Sequence, residues 1–232
     1  MVSILFVCLH RPNRSPSQRF RFEQYLSFLK NAGYQTRFSF LLNANEDKIF
    51  YQKGQYLSKF VIFIRSIWLR FRESFLQKPY DIVFVQRECF MLGTPFFEKQ
   101  FSKRSKLIYD FDDSIWIPTI SIGNRGLHFL KNTSKVKSII SLSTHIVTGN
   151  QYLANYARKY NTNVSVIPST IDTDIYTPRV INKSKTVTIG WSGSFSTIPH
   201  FEFIIPTLLR IKLKYPDRVQ FLVIGVPGYQ CN

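Results

Sequence analysis

Acidic side chains are scarce in this chain: 14 Asp and Glu stand against 31 Lys and Arg, a net charge of +17 over 232 residues. Cysteine is scarcer, with Cys8, Cys89 and Cys231 scattered so that no CxxC pair forms. That set excludes a disulfide scaffold and implies reduced thiols and a cytoplasmic setting. Long hydrophobic runs are also missing. The stretch FVIFI at 60–64 is broken at once by Arg65, so no segment spans a bilayer, and the apolar start MVSILFVCLHRP lacks the basic flank and small-residue cleavage site of a signal peptide. His10, His128, His145 and His200 are scattered, without HExxH, and neither GxSxG nor a Cys–His signature occurs, which removes the usual hydrolase patterns. Zinc spacings, RNP aromatics and a basic heptad region are absent as well. The positive charge suits polyanions in general, but no nucleic-acid partner is expected.

What is present is apolar material, 44% hydrophobic and 16% aromatic residues, enough for one large domain or one and a half ordinary ones. Short apolar runs alternate with longer amphipathic ones. Strands are predicted at 3–9, 36–42, 80–86, 106–111 and 164–169, and helices at 17–34, 55–77, near 93–102 and at 151–160; residues 135–150 run from helix into strand. For 17–34 the expected buried face is Phe20, Tyr25, Phe28 and Leu29, with Gly33 as the stop. Strand–helix–strand at this spacing marks an α/β protein with a largely parallel sheet. Its functional loops would lie at the carboxyl ends of the strands. Around Pro178 the polar stretch TPRVINKSK reads as a linker, giving domains 1–180 and 181–232, the second only the start of a βαβ unit.

Three stretches carry chemistry. In RPNRSPSQR (11–19), Arg11, Arg14 and Arg19 surround Ser15 and Ser17 at a helix start, an anion cradle if not a solvated loop. In TIGWSGSFST (188–197), Gly190 and Gly193 allow close backbone approach, Ser196 or Thr197 can cap a helix and Pro199 suits its first turn. Such a turn takes a diphosphate or merely joins strand to helix; it is neither GxGxxG nor a P-loop. In YDFDDSIW (109–116), Asp110 and Asp112 have D-x-D spacing, a metal pattern supported by no nearby His, and Asp112, Asp113 and Ser114 could equally cap a turn. Asp172 and Asp174 repeat the spacing without an EF-hand frame.

The 55–77 helix places Leu57, Val61, Ile64, Trp68, Phe71 and Phe75 along one stripe, with Lys59, Arg65, Arg70 and Arg72 among them. The plainer expectation is a core helix with basic edges; the sharper one is a monotopic surface resting on anionic lipid.

Taken in order, the stretches SPSQRFRFEQYLSFLKNAGY, YDIVFVQRE, YDFDDSIW, VTGNQYLANYARKYNTNVSVIPSTIDTDIYTP and IGWSGSFSTIPHFEFIIPTLLRI resemble the retaining glycosyltransferases of family 4. The resemblance implies a GT-B fold: a Rossmann-like amino-terminal domain, complete here, and an incomplete carboxyl-terminal one. It implies transfer of a sugar, with retention, from a nucleotide-sugar to a polysaccharide or glycolipid acceptor. No metal or resident cofactor is implied, the nucleotide-sugar being a co-substrate. Asp112 and Asp113 become candidates for orienting the sugar or acceptor hydroxyl. Arg14, Arg19, Gly190, Ser192, Gly193 and Ser194 become candidates for the donor diphosphate, and Ser17, Arg87, Glu88 and Asn150 for the acceptor side. Relatives carry a Glu pair, seven apart, in a region that would follow Asn232, so donor binding by this polypeptide is expected to be impaired. The expected partners are a nucleotide-sugar, a glycan or lipid-linked acceptor and an anionic membrane surface at the inner face. The alternative is a non-catalytic module that binds acceptor or membrane beside a complete transferase.

Overall fold

The computed structural model describes residues 1–52, 54–117, 134–178, 185–193, 197–226 and 228–229. It divides into two units, Met1–Tyr176 and Thr177–Asn232.

The first unit is built on β1 (Ser3–His10), β2 (Gln35–Leu42), β3 (Ile82–Gln86), β4 (Lys106–Phe111), β5 (His145–Thr148) and β6 (Val164–Val166). All pair in parallel, in the order β2-β1-β3-β4-β5-β6. A parallel sheet covered on both faces needs nearly continuous apolar strands, and β1 supplies Ile4 to Cys8, all buried. Alternation along the strand sends Leu5 and Val7 into the larger core with Val83, Val85, Leu107 and Tyr109. Ile4, Phe6 and Cys8 go to the opposite face, with Phe22. Burial pushes the Cys8 and Cys89 thiols well above their ordinary range.

The 17–34 segment is not one helix. It forms α1 (Pro16–Arg21), a 3₁₀ turn (Glu23–Tyr25) and α2 (Leu26–Asn31). The break falls at Phe22, whose ring drops onto the sheet and stacks on Phe6 at 5.0 Å. Keeping Phe22 on a continuous helix would forfeit that burial, of order 2 kcal/mol for a large apolar side chain. The expected buried face fails with it, since Phe28 and Tyr25 are exposed. Gly33, at φ +85°, ends α2 as expected. Between β2 and the long basic helix lies α3 (Ala44–Tyr51), which periodicity did not predict; Asn43 and Glu46 form a reciprocal capping box at its start. The remaining helices are α4 (Tyr56–Phe71), continued by a π-helical turn (Arg72–Leu76), then α5 (Phe96–Ser102), α6 (Ser134–Leu142) and α7 (Gln151–Ala157). The predicted strand at 164–169 keeps only its first three residues in the ladder.

The α4 helix overturns the plainer expectation. Leu57, Val61, Ile64, Trp68 and Phe71, the stripe assigned to the core, are exposed, as is Phe60. The buried positions are Ile62, Ser66 and Arg70, followed by Glu73 and Ser74 of the π-helical turn. The orientation is fixed by directional bonds. Arg70, fully buried, donates to the Cys8 carbonyl at 2.8 Å, the Cys89 carbonyl at 2.7 Å, Ser39 Oγ at 2.5 Å and Glu73 Oε2 at 2.8 Å. Ser39 Oγ in turn donates to Glu73 Oε1 at 2.6 Å. The π-helical bond from Gln77 N to the Arg72 carbonyl, 2.9 Å, closes the turn that carries Glu73 beneath Arg70.

The second unit holds β7 (Val187–Ser192), α8 (Ile198–Lys214) and β8 (Val219–Ile224), with β7 and β8 parallel. This is the crossover expected from TIGWSGSFST. Phe201, Leu208, Val219 and Val226 are buried, while Phe203, Leu213, Leu222 and Val187 stay exposed.

Candidate functional site

In a doubly wound sheet the crevice opens where successive connections leave the strands toward opposite faces. Here that point lies between β1 and β3, neighbours in the sheet whose chain continues outward in opposite directions. Four of the residues singled out in the sequence meet at this edge. Asp112, just past β4, accepts from Ser17 Oγ of α1 at 2.5 Å on one oxygen and from Arg87 on the other, at 3.2 and 3.3 Å. Arg87 also pairs with Asp113. Gln86 of β3, not singled out, completes the cluster by donating to Ser17 Oγ at 2.8 Å. Arg87 sits at φ +65°, a left-handed backbone uncommon outside Gly and concentrated at functional sites. Bonds on both sides hold it there: Arg87 N to the Asp110 carbonyl at 2.8 Å and Glu88 N to the Gln86 carbonyl at 2.9 Å.

The β4 and β5 ends are pressed together beneath the cluster. A Cβ placed on Gly149 would lie 3.4 Å from Asp112 Cα, at the near edge of ordinary contact, so the two residues adjoin closely. Asn150, assigned to the acceptor side, is occupied as the cap of α7, accepting from Leu153 N at 3.0 Å. Glu88 turns toward α6 and pairs with the buried Lys135 at 3.2 Å, outside the cluster's bonds.

The D-x-D pair does not act as a pair. Asp110 is fully buried and bound by Arg21 of α1, with Asp110 Oδ1 at 2.5 Å and 3.1 Å from the guanidinium nitrogens and Oδ2 at 3.3 Å. Burial raises the Asp110 carboxyl to about 6 against the opposing hydrogen bonds and charge of Arg21. Among the described residues no group of three or more His, Cys, Asp or Glu side chains gathers to hold a metal.

The loop after β1 is clamped by residues that carried no motif signal. Gln18 brackets His10, its Oε1 accepting from His10 N at 3.0 Å and its Nε2 donating to the His10 carbonyl at 2.9 Å. Glu23 accepts from Asn13 N at 2.8 Å. Asp47 of α3, buried, takes Arg11 at 3.0 Å and Arg14 at 2.5 Å. Burial raises the Asp47 carboxyl, but the hydrogen bonds from Arg14 and Arg11 outweigh it and leave the group below its ordinary range. His10, 3.8 Å from the same carboxylate, is pushed down by burial and by Arg14 and Arg87 more than Asp47 pulls it up. Arg14 is therefore a paired cation. Arg19 differs: its Nε is buried without a partner among the described residues, and its guanidinium lies over the Phe20 ring at 5.3 Å. Beside it opens a hollow of about 310 Å³, walled by Pro12, Asn13, Phe20, Asp172 and Tyr176.

In the second unit Gly193 follows β7, its N–H donating to the Ile224 carbonyl at 3.1 Å. A Cβ there would strike the Trp191 ring and Thr197 Oγ1, whereas one on Gly190 would meet nothing within 4 Å. Close packing thus explains Gly193 and not Gly190. Ser192 is exposed at the end of β7. Ser194 and Ser196, like His128 and Cys231, lie outside the described residues.

Sheet order, covered faces and a polar cluster at the switch point define a Rossmann-like α/β protein. No protein-family model and no curated protein matches the chain. Solved structures do share its fold. A Staphylococcus aureus MnaA–UDP co-structure aligns with a TM-score of 0.56 at 15% identity, over 98% of this chain and 63% of that one. The amino-terminal domain of Candida albicans trehalose-6-phosphate phosphatase aligns with a TM-score of 0.51 at 13% identity, over 99% of this chain and 65% of that one. The chain thus spans just under two thirds of each.

Proposed function

We propose that the chain is a glycosyltransferase-like protein of GT-B type, similar to the retaining enzymes of family 4, which moves a sugar from a nucleotide-sugar to a glycan or lipid-linked acceptor. The observation that carries this reading is the Ser17–Gln86–Arg87–Asp112–Asp113 cluster at the switch point. A carboxylate held on both oxygens is a fixed acceptor of hydrogen bonds, suited to orienting a sugar hydroxyl. Asp113, two thirds of whose side chain is exposed, offers the acceptor hydroxyl an oxygen beside it. Arg19, which lines the open hollow and makes no ion pair among the described residues, is the better of the two arginines for a diphosphate; Arg14 shares the Asp47 carboxylate with Arg11. Gly190, Ser192, Gly193 and Ser194 are assigned to a diphosphate by sequence resemblance. The likeness to a protein solved with UDP supports a nucleotide-linked donor.

Titration calorimetry or saturation-transfer NMR with UDP, GDP and their sugar conjugates tests this. At least one is expected to bind, and Arg19→Ala to weaken it about tenfold, the loss of one charge-assisted hydrogen bond. Silence from all of them at millimolar concentration, or equal binding by Arg19→Ala, would overturn the reading. The non-catalytic alternative draws on the outward apolar face of α4. Sugar transfer that falls with Asp113→Asn would dismiss it.

A further inference from the structure

The outward face of α4 is the least expected surface of the molecule. Phe60, Val61, Ile64, Trp68 and Phe71 point away from a core to which the same helix contributes Ser66 and Arg70. The face continues beyond the helix as a row of rings: Trp68 to Phe71 at 6.0 Å, Phe71 to Phe75 at 4.7 Å, and Phe75 to Phe96 of α5 at 5.8 Å. A contiguous apolar patch of this kind marks an interaction site, because leaving it in water costs roughly 25 cal/mol per Å².

Charge selects the occupant. Arg72, next in sequence to Phe71, and Lys99 and Lys103, three and seven residues on from Phe96, are exposed. The acids nearest in sequence are consumed, Glu73 by Arg70, Glu98 beside Lys135 and Glu46 by Arg65. The chain carries +17, so two copies brought face to face would repel. An anionic bilayer instead attracts the protein over a Debye length and then takes up the aromatic and aliphatic side chains at its interface. Among the described residues no helix is long and apolar enough to cross a membrane, which leaves α4 lying in the plane. We infer that the outward face of α4, extended by Phe75 and Phe96, docks the protein on an anionic lipid surface, with Trp68 inserted at the headgroup boundary. This inference stands apart from the sugar-transfer reading and survives its failure.

Flotation with phosphatidylcholine vesicles containing increasing phosphatidylglycerol tests it, together with tryptophan emission. Binding should rise with the anionic fraction, fall with salt and shift the emission to the blue. The triple variant Phe60→Ser/Ile64→Ser/Trp68→Ser should lose binding at least tenfold while still unfolding in one cooperative urea transition, its midpoint lowered by no more than the helix-propensity cost of three serines, since about half or more of each side chain is exposed. A single Arg72→Gln change should weaken binding to anionic vesicles severalfold. Failure to bind vesicles rich in phosphatidylglycerol, or binding unchanged in the triple variant, would overturn the inference. So would a lipid-free dimer abolished by the triple variant, which would assign the face to a second copy.

Discussion

Replacing Arg70 with methionine is expected to cost about 3–5 kcal/mol, the loss typical of breaking a buried ion pair from one side. Methionine fills much of the space but makes none of the four hydrogen bonds that the guanidinium gives to Cys8 O, Cys89 O, Ser39 Oγ and Glu73. Glu73 would remain buried as a carboxylate with only Ser39 as donor. A second change, Glu73→Gln, removes that stranded charge and should recover part of the loss, so the double variant is expected to be more stable than Arg70→Met alone. Trp68, two positions earlier on the same helix and far more apolar, is the control. Trp68→Ser should cost less than about 1 kcal/mol, because its side chain already faces solvent. Urea denaturation of the four proteins checks the set. If Trp68→Ser proved the costlier substitution, α4 would face the other way.

The second large effect concerns Arg21, and its sign depends on pH. Asp110 has a folded-state value of about 6, above the ordinary carboxyl value of 3.8, so the folded chain binds the proton more tightly than the unfolded one. Its linkage therefore lowers stability as pH rises from about 4 to about 6. Arg21→Met removes the groups that oppose this rise, sending the Asp110 carboxyl higher still. The variant should lose about 3–5 kcal/mol at pH 8, where the buried carboxylate is ionised and alone, and distinctly less at pH 5, where it can be neutral. Thermal or urea melts at the two pH values measure the difference. A deficit that is equal at both, or larger at pH 5, would refute the assignment of Asp110 as a buried, burial-raised carboxyl. Arg21 also reaches the Ile167 carbonyl, so the variant is expected to loosen the 167–176 segment that walls the hollow beside Arg19.

Much of this architecture was legible from the order of residues. Short unbroken apolar runs such as SILFVCL suit a strand buried on both faces, and their alternation with longer amphipathic segments suits parallel crossovers. The meeting of Ser17, Arg87, Asp112 and Asp113 followed from the same logic, since carboxyl ends of parallel strands share one edge. What periodicity misread was α4. An apolar stripe at helical spacing reveals that a helix is two-sided but not which side meets the core, and here directional bonds to Arg70 decide against burial. The split of 17–34 was hidden for a related reason, because one aromatic, Phe22, gains more from the sheet than from helical continuity. Gln18, Gln86 and Asp47 carried no motif, yet each fixes a loop at the site. The capping-box spacing of Asn43 and Glu46 was readable and would have located α3, the helix that delivers Asp47.

Gly149 sets a dimension of the cluster. A Cβ built on it would stand 3.4 Å from Asp112 Cα, so these two residues, each the next after the last paired residues Phe111 and Thr148 of β4 and β5, pack main chain beside main chain. Under the proposed function, selection of a sugar hydroxyl at Asp112 would therefore rest on the side chains bonded to that carboxylate, Ser17 and Arg87, which can be exchanged without touching the strand ladder.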